Sequence, residues 1–298
     1  MEIIIEDLSK IYENGHRALS NVNITISNGM FGLLGPNGAG KSTLMRIIVT
    51  LMKPTTGRVL VNGKDLQENR TDIRKMLGYL PQDFRFFPKL KTYEFLEYTA
   101  RLHGIKEAKK RSVAVDKMLD EVGLFEARDR MANKLSGGMK RRLGIAQALI
   151  GNPGIIVVDE PTTGLDPEER IRFRNLLSAI SSRDIVIILS THIVGDISST
   201  CRNMALLNQG ELAFLGTPPE LIDKTKGHVW RMMVPLEELE VISDKFPVIS
   251  TIPTTNGWEV EFVATESAIK NAISVEPNLE HAYVHFMENI LNQRIEEK

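Results

Sequence analysis

The sequence is poor in cysteine, in excess charge of either sign and in long hydrophobic runs. Its single cysteine, Cys201, has no partner for an internal disulfide, which fits a reducing compartment and predicts a small buried apolar residue. The 37 basic and 38 acidic residues give a net charge of −1, without the basic surplus typical of nucleic-acid-binding proteins. The longest apolar runs, such as "GIIVVD" and "DIVIILS", fall far short of the ~20 residues of a membrane span. We therefore expect no nucleic-acid partner and a membrane role only through another protein.

The order of apolar patterns along the chain indicates an α/β fold. The 298 residues suffice for one large or two modest domains. Short continuous apolar runs are typical of the buried centre of a parallel sheet, and helical periodicity dominates about residues 83–150. After "TPPELIDKTKG" the pattern changes to alternating strands and amphipathic helices. We predict a first domain over 1–220, with a helical subdomain at about 83–150, and a small α+β domain over 221–298.

A glycine-rich stretch, "GPNGAGKST", fits the pattern G-x-x-x-x-G-K-[ST] between a predicted strand and a predicted helix. Its glycines allow a tight turn in which backbone N–H groups converge on phosphates. Lys41 is expected to reach the terminal phosphates, Ser42 to ligate Mg²⁺ and Thr43 to contact the α-phosphate. The alternative is a turn that only caps a helix. The candidate nucleotide-binding residues are Gly35, Pro36, Asn37, Gly38, Ala39, Gly40, Lys41, Ser42 and Thr43.

Two carboxylates follow the apolar strand in "IIVVDE". The carboxyl ends of strands are where ligands bind in open α/β sheets. Asp159 is suited to hold Mg²⁺ through its water shell, and Glu160 to orient and polarise an attacking water. A strand that ends in a solvated acidic pair is the alternative. Beside a phosphate loop, the pair favours nucleotide hydrolysis.

The run "LSGGMKRR" places two glycines before a basic stretch. Together with the phosphate loop, "IIVVDEP", "TGLDP" and "LSTH", in this order, it resembles the nucleotide-binding domain of ABC (ATP-binding cassette) transporters. The resemblance covers roughly residues 1–220. It implies a P-loop NTPase (RecA-like) core with an antiparallel β-subdomain and an inserted helical subdomain, using ATP and Mg²⁺. It also implies a head-to-tail dimer with a second copy or a paralogous ATPase subunit, in which Ser136, Gly137 and Gly138 contact the partner's nucleotide.

The same resemblance implies roles for four further residues. Gln82 matches the glutamine that touches Mg²⁺ and the attacking water, although a surface-loop glutamine is the alternative. Asp166 matches the loop that crosses the dimer, or is only a helix start. His192 matches the histidine that senses the γ-phosphate, or is structural. Tyr12 matches the aromatic residue that stacks on adenine, or is a sheet-edge tyrosine. The implied catalytic set is Glu160, His192, Gln82 and Lys41, and the implied metal ligands are Ser42, Gln82 and Asp159.

The resemblance also implies a membrane partner. An aromatic-rich surface near Phe84–Tyr98 matches the groove that accepts a helix from separate transmembrane permease subunits, which places the chain peripherally at the cytoplasmic face of the membrane. Candidate groove residues are Phe84, Phe86, Phe87 and Tyr93, with core packing as the alternative.

Met139 follows the two glycines of "LSGGM", whereas glutamine is the commonest residue at this position in the family. This departure resembles the multidrug and antibiotic exporter branch, which implies a drug, antibiotic, lipid or polysaccharide-type substrate. An importer ATPase and a non-transport ATPase remain as alternatives. We expect Lys140–Arg142 to be a solvated helix face that supports the signature region.

No catalytic constellation is evident in the C-terminal domain. His281 and His285 lie four residues apart on a predicted helix, a spacing that can place two metal ligands on one face. We expect a partly solvated pair instead, and His228 also lacks accompanying ligands in the sequence. The pattern predicts no function for this domain.

Overall fold

The computed structural model describes residues 1–87, 89–264 and 272–296, with the side chains of the last helix described as far as residue 288. The chain divides into two compact units, Met1–Leu215 and Gly216–Lys298. In the described ranges, no helix combines the length and apolar character needed to cross a membrane.

The first unit alternates strands and helices. Its strands are β1 (Glu2–Ile11), β2 (Arg17–Ser27), β3 (Gly29–Leu34), β4 (Thr56–Val61), β5 (Lys64–Asp65), β6 (Leu77–Leu80), β7 (Ile155–Asp159), β8 (Val186–Thr191), β9 (Asn203–Asn208) and β10 (Glu211–Gly216), the last of which ends at the unit boundary. Its helices are α1 (Lys41–Ile48), α2 (Arg70–Lys75), α3 (Thr92–Leu102), α4 (Ala108–Glu121), α5 (Gly137–Leu149), α6 (Pro167–Ser181) and α7 (Val194–Ser198). Short 3₁₀ turns lie at Phe125–Ala127 and Ala132–Lys134.

A six-stranded sheet in the order β10-β9-β3-β8-β7-β6 forms the centre of the first unit. The five strands from β9 to β6 are parallel. Every residue of β7 and β8 is buried, as continuous apolar runs in a sheet covered on both faces predict. Because β3, β7 and β8 are parallel neighbours, the loops that follow them meet at one edge of the sheet.

A second, antiparallel sheet in the order β2-β1-β4-β5 packs on the first and shares its apolar core with α1. Strand β2 alternates buried and exposed residues over Val22–Ser27, the pattern of a sheet with one solvated face. Between β6 and β7 the chain forms the helices α3, α4 and α5. The α/β class, the antiparallel subdomain and the helical insertion are therefore as predicted.

Four strands or helices of this unit are absent from the sequence prediction: strand β6 and helices α2, α6 and α7. Helix α6 begins with strong start signals, since the side chain of Asp166 caps its N-terminus, Pro167 is its first residue and two glutamates occupy its first turn. Strand β6 has only four residues, too few for a clear period.

The second unit is a four-stranded antiparallel sheet with helices. Its elements are α8 (Pro218–Asp223), β11 (Val229–Val234), α9 (Leu236–Lys245), β12 (Val248–Thr254), β13 (Gly257–Val263), β14 (Ile273–Ser274) and α10 (Leu279–Glu296). The strand order is β12-β13-β11-β14. Phe262 and Val260 of β13 lie at the centre of a core that α9 covers. The predicted α+β character is confirmed.

His281 and His285 are buried, so the expectation of a partly solvated pair is wrong. His281 lies 3.3 Å from Glu261 Oε2. The ring of His285 stacks on His228 with centroids 4.6 Å apart, and its Nδ1 lies 3.3 Å from Thr225 Oγ1. Helix α10 packs on β13 and α8, and this packing removes the helical turn that carries His281 and His285 from water. The two rings therefore have different neighbours and do not converge on one ligand.

Candidate active site

The phosphate loop connects the buried strand β3 with α1. Gly40 has a φ of 101°, and a Cβ at this position would lie 2.5 Å from the carbonyl oxygen of Ala18. Only glycine satisfies both conditions without strain. The loop therefore keeps its tight turn, and the N-terminus of α1 with its free N–H groups opens at the sheet edge.

Lys41 is the first residue of α1 and is buried. Its Nζ donates to the carbonyl oxygens of Gly35 at 2.6 Å and Pro36 at 3.1 Å, and lies 3.5 Å from Glu160 Oε1. Burial lowers the pKa of Lys41, and the neighbouring carboxylate of Glu160 partly opposes this shift. A single ammonium group thus lies between the phosphate loop and the carboxylate that follows β7.

Asp159 ends β7 in a buried position. Its Oδ1 accepts a hydrogen bond from Ser190 Oγ at 2.9 Å and lies 3.5 Å from Ser42 Oγ. Burial raises the pKa of Asp159, while the two hydroxyl donors oppose this rise. The carboxylate and the Ser42 hydroxyl form a pair of oxygen donors of the kind that Mg²⁺ prefers.

Glu160 has a φ of 48°, which is uncommon for a residue with a side chain and typical of functional sites. Its Oε2 lies 2.7 Å from His192 Nδ1 and accepts a hydrogen bond from Thr163 Oγ1 at 3.2 Å. The side chain is held by these two neighbours and by Lys41 on the opposite oxygen. A carboxylate oriented in this way can polarise a water molecule beside a terminal phosphate.

Aromatic residues lie at the other end of the phosphate loop. The Tyr12 hydroxyl and Thr43 Oγ1 lie 3.0 Å apart. The ring of His16 lies nearly parallel to that of Tyr12, with an interplanar angle of 11°. The hairpin turn between β1 and β2 therefore presents ring faces to the start of α1, where an adenine base attached to the bound phosphates can stack.

Asp159 lines a cavity of about 610 Å³ together with Ser42 and Gln82. Most of the other groups line one cavity of about 670 Å³. It brings together the predicted residues Tyr12, Asn37, Gly38, Ala39, Gly40, Lys41, Ser42, Thr43, Gln82, Glu160 and His192. It also holds His16 and Thr163, which the sequence analysis does not assign. Ser190, the donor to Asp159, is likewise unassigned, although it lies within the quoted motif "LSTH".

The loop formed by Ser136, Gly137 and Gly138, which we call the signature loop, does not line this cavity. Gly137 lines a separate cavity of about 310 Å³, together with Gln82, Thr163 and Gly164. Ser136 caps α5, because its hydroxyl accepts a hydrogen bond from the Met139 N–H at 3.2 Å. A loop that serves a nucleotide of its own chain would lie against the first cavity, so this placement is consistent with a partner's nucleotide.

Gly138 has an additional, internal reason to be glycine. A Cβ at this position would lie within 2.7 Å of Cγ of Glu169 and closer still to its carboxylate. Glu169 also pairs with Arg142 at 3.5 Å, and its N–H donates to the carboxylate of Asp166 at 2.9 Å. The second signature glycine therefore packs directly against the helix that follows the predicted dimer-crossing loop.

The basic run after the signature loop is not a simple solvated face. Arg141 Nη1 donates to the carbonyl oxygen of Gln82 at 2.7 Å, and burial lowers the pKa of Arg141. Arg142 Nη1 donates to the carbonyl oxygen of Gly123 at 2.9 Å. These bonds connect α5 with the loop that carries Gln82 and with the end of α4. The predicted support of the signature region is thus provided by partly buried guanidinium groups.

The aromatic residues after Gln82 differ in their packing and in their exposure. Phe84 and Phe86 pack edge to face, with centroids 4.6 Å apart, and both contact Phe95. Phe87 is 53% exposed, whereas Tyr93 packs under Arg128. Phe84 also lines a further cavity of about 610 Å³ between α1, β6 and α5. Of the four candidates, Phe84 and Phe87 are placed to contact another molecule.

Comparisons with known proteins identify the family. Residues 19–163 match the family described as "ABC transporter". The uncharacterized ABC transporter ATP-binding protein YxlF of Bacillus subtilis is 34% identical over 87% of this chain and 85% of its own length. The Nod factor export ATP-binding protein I of Cupriavidus metallidurans is 32% identical over 89% of this chain and 86% of its own length.

Solved structures agree with this result. The cbiO1 structure from Clostridium perfringens, part of the ABC transporter complex cbiONQ, has a TM-score of 0.68 and 29% identity over 74% of this chain and 90% of its own. The ATP-binding cassette MJ0796, as a dimer in a post-hydrolysis state with ADP and Pi, has a TM-score of 0.66 and 28% identity over 72% of this chain and 98% of its own. Both support a P-loop NTPase core with a β-subdomain and a helical insertion. The chain belongs to the ATP-binding proteins of ABC transporters and carries their ATPase domain.

Proposed function

We propose that this ATPase drives export through separate transmembrane subunits, as a head-to-tail dimer that encloses two ATP molecules. The observation that carries the proposal is the position of Glu160 between Lys41, His192 and Thr163 in the 670 Å³ cavity. Glu160 orients the attacking water, Lys41 neutralises the terminal phosphates and His192 contacts the γ-phosphate. Tyr12 stacks on the adenine. Together these residues position the reactants and stabilise the charge that develops in phosphoryl transfer.

Mg²⁺ is the proposed metal cofactor. The 3.5 Å separation between Ser42 Oγ and Asp159 Oδ1 supports this assignment, since both are hard oxygen donors beside the phosphate loop. Gln82, whose side chain carries an amide oxygen, lines a cavity of about 610 Å³ together with Ser42 and Asp159. When bound, the ion neutralises charge on the β- and γ-phosphates. Ser42, Asp159 and Gln82 would hold it, directly or through water.

The second copy, or a paralogous subunit, supplies the missing half of the site. Ser136, Gly137 and Gly138 lie apart from their own chain's phosphate loop, as this model requires. The N-terminus of α5 provides N–H groups suited to a γ-phosphate. Asp166 caps α6 and directly follows Gly164 and Leu165, which line the same cavity as Gly137. The dimeric MJ0796 cassette supports this arrangement by analogy.

The proposed membrane partner contacts the surface formed by Phe84, Phe87 and Tyr98. The exposed rings of Phe87 and Tyr98 pack on each other at 5.6 Å beside the 610 Å³ cavity. The chain would then lie at the cytoplasmic face of the membrane. The Nod factor export relative supports the direction of transport. We propose a drug, antibiotic, lipid or polysaccharide-type substrate. We also propose that the nucleotide-binding domain covers 1–220 and that an accessory domain covers 221–298.

The shared-site mechanism is tested with Glu160→Gln. This variant should lose ATP turnover but retain ATP, and it should form a dimer on size-exclusion chromatography with saturating ATP and Mg²⁺. Wild-type ATPase activity should rise faster than linearly with protein concentration. Glu168→Gln is the matched control, because Glu168 is an exposed carboxylate on α6 and should behave as wild type. A Glu160→Gln protein that stays monomeric would contradict the mechanism.

The direction of transport is tested by affinity purification from detergent-solubilised membranes of the source organism. An exporter should co-purify with a multi-span membrane protein and without a solute-binding protein. Recovery of a solute-binding protein would favour import. Association only with ribosomes or DNA-repair proteins would leave ATP hydrolysis intact and reject the transport role.

A further inference from the structure

Asp196 is a fully buried carboxylate in α7 that the proposed hydrolysis mechanism does not use. Its Oδ1 accepts a hydrogen bond from Arg170 Nε at 2.8 Å. Its Oδ2 accepts hydrogen bonds from Thr162 Oγ1 at 2.5 Å and from Thr191 Oγ1 at 3.5 Å. Arg174 Nη1 lies 3.9 Å from the same carboxylate. Four side chains from three separate segments thus converge on one carboxyl group.

The two threonines that contact Asp196 are chain neighbours of the two residues that contact Glu160. Thr162 precedes Thr163, and Thr191 precedes His192. Thr163 and His192 both bond to Oε2 of Glu160, at 3.2 and 2.7 Å. The Thr191 hydroxyl also accepts a hydrogen bond from the Ile193 N–H at 2.9 Å, which fixes the turn that carries His192. Displacement of Asp196 would therefore move both contacts of Glu160.

Arg170 connects this carboxylate with the loop that bears Asp166. Arg170 lies in the first turns of α6, the helix that Asp166 caps. Its guanidinium is partly exposed, whereas Asp196 is not. On the same helix, Arg174 donates to the carbonyl oxygen of Gly195 at 2.9 Å and so holds α7 against α6. The carboxylate is thereby joined to the segments after β7 and β8 and to the proposed dimer-crossing loop.

We propose that Asp196 is a positioning residue for ATP hydrolysis, which holds the segments of Thr163 and His192 in register around Glu160. The proposal rests on the roles proposed above for Glu160 and His192. A purely stabilising role is the competing explanation, but buried ion pairs are poor sources of net stability relative to apolar packing. A catalytic effect is favoured because Asp196 contacts both segments that hold Glu160, the one with Thr163 and the one with His192.

The test is a double-mutant cycle between Asp196→Asn and His192→Ala, with kcat, KM for ATP and the melting temperature measured for each protein. Asn keeps the shape of the side chain but removes its charge. Asp196→Asn alone should lower kcat roughly 10- to 100-fold, the scale of a small misplacement of catalytic groups, with KM changed by less than about twofold. Because Asp196 acts partly through His192, the two losses of kcat should combine to less than their product in the double variant.

Two outcomes would overturn the proposal: wild-type kcat for Asp196→Asn, or losses of kcat that multiply in the double variant. Arg172→Gln is the control, because Arg172 is an exposed arginine on α6 that pairs with Glu168. If Asp196→Asn fails to fold, Arg170→Gln removes the same ion pair from its exposed side and is measured in the same cycle. Wild-type kcat for His192→Ala would instead show that the proposed function of His192 is wrong.

Discussion

Replacement of Gly138 by alanine separates two reasons for glycine in the signature loop. One reason is external, since the proposed dimer brings a partner's nucleotide to this backbone. The other is internal, since a Cβ would occupy the space of the Glu169 side chain. Gly137 is the matched control, because a Cβ there would meet only Leu165 at 4.0 Å. The two neighbouring glycines therefore differ in the internal requirement alone.

The structure sets the size of the expected effect. A Cβ at Gly138 would overlap the side chain of Glu169, which pairs with Arg142 while both side chains are mostly buried. Overpacking of this kind costs about 1–3 kcal/mol, and the gain from replacing glycine in a helix offsets up to about 1 kcal/mol. At about 2–4 °C per kcal/mol for a domain of this size, Gly138→Ala should lower the melting temperature by a few degrees. Gly137→Ala should leave it unchanged or slightly higher.

The assay combines thermal unfolding with ATPase measurements on four proteins: the two single glycine variants, Glu169→Ala, and Gly138→Ala with Glu169→Ala. In a Glu169→Ala background, Gly138→Ala should no longer lower the melting temperature, which gives a non-additive cycle. ATPase activity should stay low in both glycine variants and in the double variant. Equal melting temperatures for Gly137→Ala and Gly138→Ala would refute the internal requirement. Recovery of ATPase activity in the double variant would refute the external one.

Three further predictions concern the base, the second unit and the cysteine. Tyr12→Ala should weaken binding of a fluorescent ATP analogue by roughly 5- to 100-fold, from the loss of about 1–3 kcal/mol of stacking, whereas Tyr12→Phe, which loses only the contact with Thr43, should bind within about fivefold of wild type. Burial, then the neighbouring His228, lowers the pKa of His285 below its ordinary 6.5. The unfolded chain therefore binds the proton more readily, so the contribution of His285 to stability is complete above pH 6.5 and is lost as the pH falls below it. Denaturant unfolding of wild type and His285→Gln above and below this pH measures the difference. Equal pH dependence of the two proteins would contradict the prediction. Burial raises the pKa of the Cys201 thiol to about 12, so a thiol reagent should react only on unfolding, and rapid labelling of native protein would contradict its burial.

The parts of the site that the sequence predicts are those encoded within a few neighbouring residues. The phosphate loop, Asp159 and Glu160 are each specified by a strand, its end and the residues directly after it. Parallel strands then bring these ends to one edge of the sheet, which is why Lys41 and Glu160 meet at 3.5 Å although 119 positions apart. A local motif and one topological rule are sufficient for this half of the site.

The remaining contacts depend on packing between segments that have no common motif. Asp196 carries no signal in the sequence, because an aspartate in a short helix after a strand is usually solvated. Its role becomes evident only when α6, the segment after β7 and the end of β8 place Arg170, Thr162 and Thr191 around it. Glu169 is similar, since the carboxylate beside Gly138 is 31 positions away in the chain. Both carboxylates lie on or against α6, a helix absent from the sequence prediction. The proposed catalytic groups are therefore readable from local motifs, whereas the connection of the signature loop, the Asp166 loop and His192 to one helix requires the folded structure.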